Sequence, residues 1–282
     1  MKFKNDVAEF FVPGNKSMED ALKRTTHMSI GAHQDDLEIM AYHGILECFM
    51  NEKKGFLGVT VTNGSGSPRD GVYASFSDEE MRKVRRNEQK KAAVVGEYSG
   101  VVLLDYPSSA VKDPENLDVK NDLEKLISAA KPSCIYTHNL ADKHDTHVAV
   151  AVRVIQALRE LPQGEHPQKL YGCEVWRDLD WVTDKDKIAF DVAAHENLAA
   201  ALTGIFDSQI CGGKRYDLAT MGRRRANATY YETHGTDFTS AMIFAMDLTP
   251  LIKDTKLDIT EYVMNYVNRF GQEISARLKK VL

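Results

Sequence analysis

The chain has 282 residues, of which 43% are hydrophobic and 27% charged, and its formal net charge is −5. These values predict one globular domain with a full core over residues 1–282, and the acidic balance argues against a chain-wide nucleic-acid surface. No apolar run is long enough to cross a membrane, so we expect neither nucleic acid nor membrane as a partner. Without an apolar leader or a Cys-x-x-Cys pair, the sequence predicts a cytoplasmic protein with reduced thiols.

The first 160 residues alternate short β-rich runs with segments of helical periodicity. The predicted strands cover residues 27–32, 56–62, 101–104 and 133–137. The predicted helices are one capped by Ser17, one over 37–50, one from the capping box at 77–80 to about 96, one over 117–130 and one over 146–161. A Gly- and Ser-rich loop over 63–76 and a polar loop over 139–145 follow the second and fourth strands. This alternation predicts an α/β fold with a parallel sheet.

The pattern of residues 161–282 is looser. It predicts strands over 170–175, 188–192 and 241–248, and helices over 196–209 and 260–282. The basic stretch over 221–231 fits a helix or a loop. We expect this part to complete the domain whose α/β part spans about 26–160.

Two polar clusters each follow a predicted strand and precede a predicted helix. They are His33-Gln34-Asp35-Asp36 and His144-Asp145-Thr146-His147. In an open parallel sheet the loops at the carboxyl ends of the strands form the ligand crevice. Both clusters therefore belong to the same edge of the sheet, and a topological switch point would bring them together.

Two histidines and a carboxylate suit zinc, which in catalytic sites takes three protein ligands and leaves a fourth position for water. His33, Asp36 and His147 would supply such a set, and the metal would lower the pKa of its water to about 7. Asp35 is adjacent to a ligand and could be directed at that water as a general base.

Each cluster also has a plainer interpretation. Asp35 and Asp36 could be the acidic pair that a helix N-terminus favours, and His144 and His147 could be loop residues that face solvent. The occurrence of both clusters at strand-to-helix junctions on one edge favours a metal site.

Four motifs resemble those of the PIG-L/LmbE-type N-deacetylases, in the same order. Residues 32–36 (AHQDD) resemble the AHPDD signature, with Gln34 in place of proline, and residues 144–147 (HDTH) resemble HPDH. Residues 85–88 (RRNE) resemble an R-x-x-E helix, and residues 230–232 (YYE) resemble a late Y-A-E element. The resemblance implies a Rossmann-like three-layer fold with a mostly parallel central sheet, one zinc ion per chain and removal of an acetyl group from an N-acetylated amino sugar.

Carried over by position, the resemblance implies His33, Asp36 and His147 as zinc ligands and Asp35 as the base. It implies that His144 stabilises the oxyanion and protonates the leaving amine. The family has Asp directly before the last histidine, where this sequence has Thr146. Asp145 and Asp142 are therefore both candidates for the carboxylate that keeps His144 charged.

Three further side chains are candidate substrate contacts. The resemblance matches Arg85 and Tyr230 to residues of the family that serve this role. Arg69 belongs to the Gly-rich loop, which lacks the third glycine of a dinucleotide fingerprint and the GK[ST] of a P-loop, so we expect a rim loop beside the site. The stretch Arg223-Arg224-Arg225 could hold a phosphate or carboxylate of the substrate, or be surface charge.

The sequence therefore predicts a zinc-dependent hydrolase that removes an N-acetyl group from a small GlcNAc-containing substrate. One alternative is a zinc amidase that acts on a non-sugar amide. Another is a non-catalytic module that binds a sugar or a nucleotide. Asp35 and His144 argue against the module, because a pure binder needs neither residue. A homo-oligomer is compatible with the sequence.

Overall fold

The central sheet has eight strands. The computed structural model describes residues 1–282 except the side chain of Asn15. The strands are β1 (Glu9–Phe11), β2 (His27–Gly31), β3 (Phe56–Thr62), β4 (Gly100–Tyr106), β5 (Cys134–His138), β6 (Lys169–Cys173), β7 (Ile188–Asp191) and β8 (Met242–Asp247). Their order across the sheet is β1-β4-β3-β2-β5-β6-β8-β7.

The helices cover both faces of this sheet. They are α1 (Met18–Arg24), α2 (Asp36–Met40), α3 (Tyr42–Cys48), α4 (Asp78–Val95), α5 (Ser108–Lys112), α6 (Asp118–Ala130), α7 (Asp145–Glu160), α8 (Glu196–Gly204), α9 (Asp207–Ile210), α10 (Tyr216–Thr229), α11 (Pro250–Lys253) and α12 (Ile259–Lys279), with 3₁₀ turns at Pro13–Asn15, Gly71–Tyr73 and Gln163–Glu165. Within the described residues, no helix is long and apolar enough to cross a membrane.

Side chains of the parallel strands alternate between two buried layers. Val102 and Leu104 of β4 pack in one cluster with apolar residues of α6 and α7. Val101 and Leu103 pack in the other cluster with residues of α2, α3 and α8. Alternation of this kind follows from the period of two along a strand. The sheet is therefore the middle of three layers, as the sequence predicted.

The direction of the chain across the sheet reverses beside β2. Strand β2 pairs in parallel with β3 on one side and with β5 on the other, so that Ser29 lies opposite both Gly58 and Tyr136. The sheet continues from β2 through β3 to β4 on one side and through β5 to β6 on the other, and all of these strands are parallel. The β2–β5 boundary is the switch point at which open α/β sheets bind ligands.

The structure differs from the predicted elements in several places. The helix predicted over 37–50 is broken at Ala41, and α3 then lies so close to the sheet that a Cβ on Gly44 would be 2.6 Å from the ring of Tyr136. Strand β1 was not predicted, because three residues are too few for a period of two. The stretch over 221–231 lies mostly in α10, and β6, β8 and β7 pair antiparallel.

Candidate metal centre

The two polar clusters meet at the carboxyl ends of β2 and β5. His33 follows β2, and Asp36 is the first residue of α2. His147 lies in the first turn of α7, in the segment that follows β5. Because β2 and β5 are parallel neighbours, the loops after them face each other across the switch point.

Three atoms of the predicted ligand set form a nearly equilateral triangle. Nδ1 of His33 lies 3.1 Å from Nε2 of His147 and 3.4 Å from Oδ2 of Asp36, and the last two atoms are 3.5 Å apart. Zinc bonds of 2.0–2.2 Å in a tetrahedron place neighbouring ligand atoms about 3.3–3.6 Å apart. The triangle therefore has dimensions that fit a tetrahedral zinc ion.

The carboxylate of Asp36 is buried but ionised. Its Oδ2 accepts the backbone N–H of His33 at 2.6 Å, which fixes the loop between β2 and α2. Burial alone would raise the pKa of Asp36, but the neighbouring ring of His147 holds it well below its usual range. An ionised oxygen is thus available at the triangle. Burial also lowers the pKa of His33, which favours the neutral ring that a metal requires.

A second carboxylate fixes the far side of the His147 ring. Oδ2 of Asp142 lies 3.7 Å from Nδ1 of His147, whose other nitrogen belongs to the triangle. Burial would lower the pKa of His147, but the carboxylates of Asp36 and Asp142 raise it. An outer carboxylate behind a ligand histidine sets its tautomer and orientation. Asp142 therefore faces His147, and the expectation that it pairs with the ring of His144 is wrong.

His144 lies at the edge of the cluster. Its ring stacks on His147 with centroids 4.5 Å apart. Burial and the neighbouring rings of His147 and His33 lower its pKa. The carboxylates of Asp36 and Asp142 act in the opposite direction, as we expected of a neighbouring carboxylate, but they do not outweigh burial and the two rings. Asp142 accepts only the backbone N–H of His144, Asp145 is exposed, and neither forms an ion pair with the His144 ring among the described residues.

Asp35 is held in an unusual backbone conformation. Its φ is 100°, in a region that non-glycine residues rarely adopt, and its side chain is buried. Burial raises the pKa of Asp35 to about 7, against the opposing charge of Arg85, whose Nη2 lies 3.5 Å from Oδ2. A carboxylate with a pKa near neutrality suits a general base.

Arg85 lies beneath this loop and not on a solvated helix face. It is 1% exposed, and its Nη2 donates to the backbone carbonyl of Gln34. Its Nη1 is 3.9 Å from Oε2 of Glu88, one turn further along α4. The R-x-x-E pair is thus a buried support for the loop that carries Asp35. Arg85 also lines the cavity over the polar cluster, so its contact with a substrate stays a prediction.

A cavity of about 690 Å³ lies over the cluster, within the size range of small-molecule sites. Its lining combines the polar cluster with the Gly-rich loop and residues from later segments: His33, Asp35, Asp36, Ile39, Asn63, Gly64, Ser65, Gly66, Ser67, Pro68, Arg85, Pro107, Ser108, Lys112, His144, Thr146, Val175, Trp176, Gln209, Lys214 and Tyr216. The Gly-rich loop therefore forms part of the rim, as expected.

Two predicted substrate contacts lie elsewhere. Arg69 follows the part of the loop that lines the cavity, and its guanidinium pairs with Asp78 and the carbonyl of Ser65. Tyr230 directly follows the last residue of α10 and is 76% exposed. Neither residue lines the cavity, so a substrate contact of either one stays a prediction. A motif match gives the order of residues along a chain, but not the direction of a side chain.

His138 is a site residue that the sequence did not predict. It is the last residue of β5, fully buried, and its Nε2 lies 3.3 Å from Oδ2 of Asp36. The signal was a polar residue at the end of an otherwise apolar strand. His138 and His144 each belong to another group of three possible ligands that includes His147.

Comparison with known proteins finds one family model that matches part of the chain. The sequence model described as PIG-L, GlcNAc-PI de-N-acetylase, matches residues 28–158. The matched segment is similar to the PIG-L family over 46% of the chain. This segment contains both polar clusters and the buried pair Arg85 and Glu88, and the family is one of N-deacetylases, which are hydrolases. No curated protein matches the chain.

Solved structures with a similar fold cover most of the chain. The conserved protein TT1542 from Thermus thermophilus has a TM-score of 0.60 at 15% identity, over 83% of this chain and 99% of that one. The N,N'-diacetylchitobiose deacetylase from Pyrococcus horikoshii has a TM-score of 0.57 at 15% identity, over 82% and 87%. GalB, the 4-carboxy-2-hydroxymuconate hydratase from Pseudomonas putida, has a TM-score of 0.57 at 14% identity, over 79% and 96%.

At these identities the structural likeness shows the fold alone. A deacetylase and a hydratase both have it. The activity of this protein must therefore be argued from its own site.

Proposed function

We propose that the protein is a zinc-dependent N-deacetylase that removes the acetyl group from a small GlcNAc-containing molecule. The observation that carries this proposal is the triangle of His33 Nδ1, Asp36 Oδ2 and His147 Nε2, with edges of 3.1–3.5 Å. The PIG-L match over residues 28–158 supports amide hydrolysis as the reaction.

The donor atoms of the triangle fit zinc in chemistry as well as in distance. Two imidazole nitrogens and one carboxylate oxygen are typical zinc ligands, and a set of three leaves the fourth position open. The carboxylate of Asp142 behind His147 supplies the outer support that such ligands usually have. A zinc ion held by His33, Asp36 and His147 supplies Lewis acidity to the amide carbonyl and to a water molecule.

Asp35 accepts the proton of the attacking water in this proposal. Its buried carboxylate is adjacent in sequence to Asp36 and lines the same cavity. A pKa of about 7 lets the carboxylate take a proton near neutral pH and release it again. Arg85 keeps this side chain in place through the Gln34 carbonyl and its contact with Asp35.

His144 is the second catalytic group in this proposal. Its ring is half-buried at the cavity, 5.0 Å between centroids from His33. From there it donates a hydrogen bond to the oxyanion that develops as the carbonyl is attacked. A proton must also reach the leaving amine, because an amide anion is a poor leaving group. Asp35 releases the proton that it took from the water, and His144 passes it to the amine, so that both residues return to their starting states. Asp145 has no part in this step, since it is exposed.

The experiment is a measurement of acetate release by the purified protein from a panel of N-acetylated amino sugars and of N-acetylated compounds without a sugar. We expect activity to disappear with a chelator, to return with one equivalent of zinc, and to be about 10²–10⁴-fold lower in zinc-loaded Asp35→Asn protein. Full zinc binding with hydrolysis of non-sugar amides alone would make the protein the alternative amidase. Absence of both metal binding and hydrolysis would leave the non-catalytic module.

A further inference from the structure

A second cavity of about 250 Å³ adjoins the cavity over the metal centre. The two cavities share the lining residues Ile39, Val175, Trp176 and Tyr216. These apolar and aromatic side chains therefore form a common wall. None of the three residues of the triangle, His33, Asp36 and His147, lines the smaller cavity.

One face of α10 forms much of the smaller cavity. Tyr216, Ala219, Thr220 and Arg223 line it, at spacings of three, four and seven residues along the helix. Residues at these spacings lie on the same side of an α-helix. The helix thus presents two hydroxyl groups and one guanidinium to a single space.

The charges around the smaller cavity are all positive. Its remaining polar lining residue is Lys143, and no Asp or Glu lines it. Among the described residues, neither Lys143 nor Arg223 forms an ion pair, and the one hydrogen bond of Arg223 runs from Nη1 to the carbonyl of Val175. The buried Glu174 interacts with the charge of Arg223 but forms no ion pair with it and does not line the cavity. Two cations without an ion-pair partner beside hydroxyl groups are suited to an anion.

Only one arginine of the basic stretch over 223–225 is available for this role. Arg224 is buried, and its Nη2 donates to the carbonyls of Glu38 and Ile39. Arg225 is exposed and pairs with Glu196. Arg223 is therefore the member of the stretch that faces a cavity.

The smaller cavity is connected to the metal centre through one loop. Lys143 directly precedes His144, and Asp142 accepts the backbone N–H groups of His144 and Trp176 at 2.9 and 3.1 Å. The ring of Trp176 lies between His144 and Tyr216, with centroid distances of 6.2 and 6.1 Å. A molecule whose amide lies at His144 can therefore extend across Trp176 towards Lys143.

We propose that the smaller cavity is an anion subsite of the substrate pocket. Lys143 and Arg223 bind a carboxylate or phosphate group on the part of the substrate remote from the scissile amide. This inference rests on the proposed deacetylase function. It assigns the substrate to a class, the N-acetylated amino sugars that carry an acidic aglycone.

The kinetic test uses three N-acetylglucosaminides that differ only at the end of the aglycone: 2-hydroxyethyl, 2-carboxyethyl and 2-phosphoethyl. We expect Arg223→Gln to raise KM for an anionic compound about 10-fold, the effect of roughly one charge-assisted hydrogen bond, and to leave kcat and the neutral compound unchanged. Arg223→Lys should restore most of the loss, and Lys143→Gln should act as Arg223→Gln does. Arg225→Gln, two residues along the helix, is the matched control and should behave as wild type.

The binding test does not depend on turnover. Calorimetric titration of zinc-loaded Asp35→Asn protein with the three compounds should show tighter binding of an anionic one, and the additional Arg223→Gln substitution should abolish that preference. The carboxylate and phosphate compounds identify which anion is bound. Equal affinity for all three compounds, or equal losses for neutral and anionic compounds in Arg223→Gln, would overturn the subsite.

The two tests separate the failure of the subsite from the failure of the proposed function. Acetate release from all three compounds with equal KM would support the deacetylase and overturn the subsite. Anion-selective binding that depends on Arg223, with no acetate release from any compound, would support the subsite and contradict the deacetylase.

Discussion

His138 stacks on His147 with ring centroids 3.8 Å apart and ring planes 20° apart. Nε2 of His138 accepts the backbone N–H of Ala32 at 2.9 Å, so its lone pair is occupied and not available to a metal. Burial lowers the pKa of His138 to about 4, which keeps the ring neutral at pH 7. His138 therefore packs beneath a proposed ligand and holds the end of β2 without belonging to the ligand set.

We expect His138→Ala to lower the free energy of unfolding of the metal-free protein by about 2–4 kcal/mol. The substitution leaves a cavity under His147 and removes the acceptor of the buried Ala32 N–H. Urea unfolding measures the change. His234→Ala is the control, because His234 is exposed and its loss should alter stability by less than about 0.5 kcal/mol. A loss as small as that of the control would show that the stacking is not structural.

The variants His33→Ala, Asp36→Asn and His147→Ala should each lose zinc, because each removes one corner of the triangle. Elemental analysis of the purified proteins, with folding checked by circular dichroism, measures the metal. His144→Ala should keep its zinc and lose about 10²-fold or more in kcat, as expected for an oxyanion-stabilising group. If His144→Ala lost zinc and Asp36→Asn kept it, the ligand set would be the three histidines instead.

Asp35→Asn should fold, retain zinc and lose about 10²–10⁴-fold in kcat, the usual contribution of a general base. Asparagine has nearly the same shape and tolerates positive φ, so the loop conformation should persist. Acetate release at saturating substrate, normalised to bound zinc, measures the effect. A kcat near that of wild type would remove Asp35 from the mechanism.

Glu88→Gln should change how stability depends on pH. Burial raises the pKa of Glu88, although hydrogen bonds from the backbone and hydroxyl of Ser208 oppose this. A raised folded pKa means that the stabilising contribution of Glu88 is complete below its unfolded pKa of 4.5 and is lost as pH rises through the folded pKa. Glutamine keeps the shape and does not ionise.

The free energy of unfolding of wild type, minus that of Glu88→Gln, should therefore fall as pH rises above the unfolded pKa of 4.5. Urea unfolding at several pH values measures this difference. Glu79→Gln on the exposed face of the same helix is the control and should give a nearly constant difference. A difference for Glu88→Gln that rises with pH would mean that the contact with Arg85 outweighs the effect of burial.

The sequence predicted most of the parallel sheet, because long β-rich runs and capping signals are local. The capping box at Ser77 and Glu80, for example, begins α4 as expected. The sequence did not predict the antiparallel pairing of β6, β8 and β7, because this pairing depends on contacts between segments far apart in the chain. The single-domain organisation and the cytoplasmic location stay predictions.

The convergence of His33, Asp36 and His147 followed from the rule for strand ends. Neighbours in the sequence did not predict which charged side chains contact each other at the site. Asp145 is next to His144 in the chain yet exposed, while Asp142 reaches His147 through the turn of the loop. Arg85 has the polarity of a surface residue, and its burial depends on packing of α4 against the loop after β2.

Asp35 combines a backbone conformation that favours glycine with a buried ionisable side chain. A sparsely populated φ/ψ region disfavours the folded state by roughly 1–3 kcal/mol, and the desolvated carboxylate adds to this. Glycine at this position would relieve both, so a chain optimised only for thermal resistance would not carry aspartate there. Such a conflict between local stability and side-chain chemistry is the trade-off expected where a residue is retained for its reactivity.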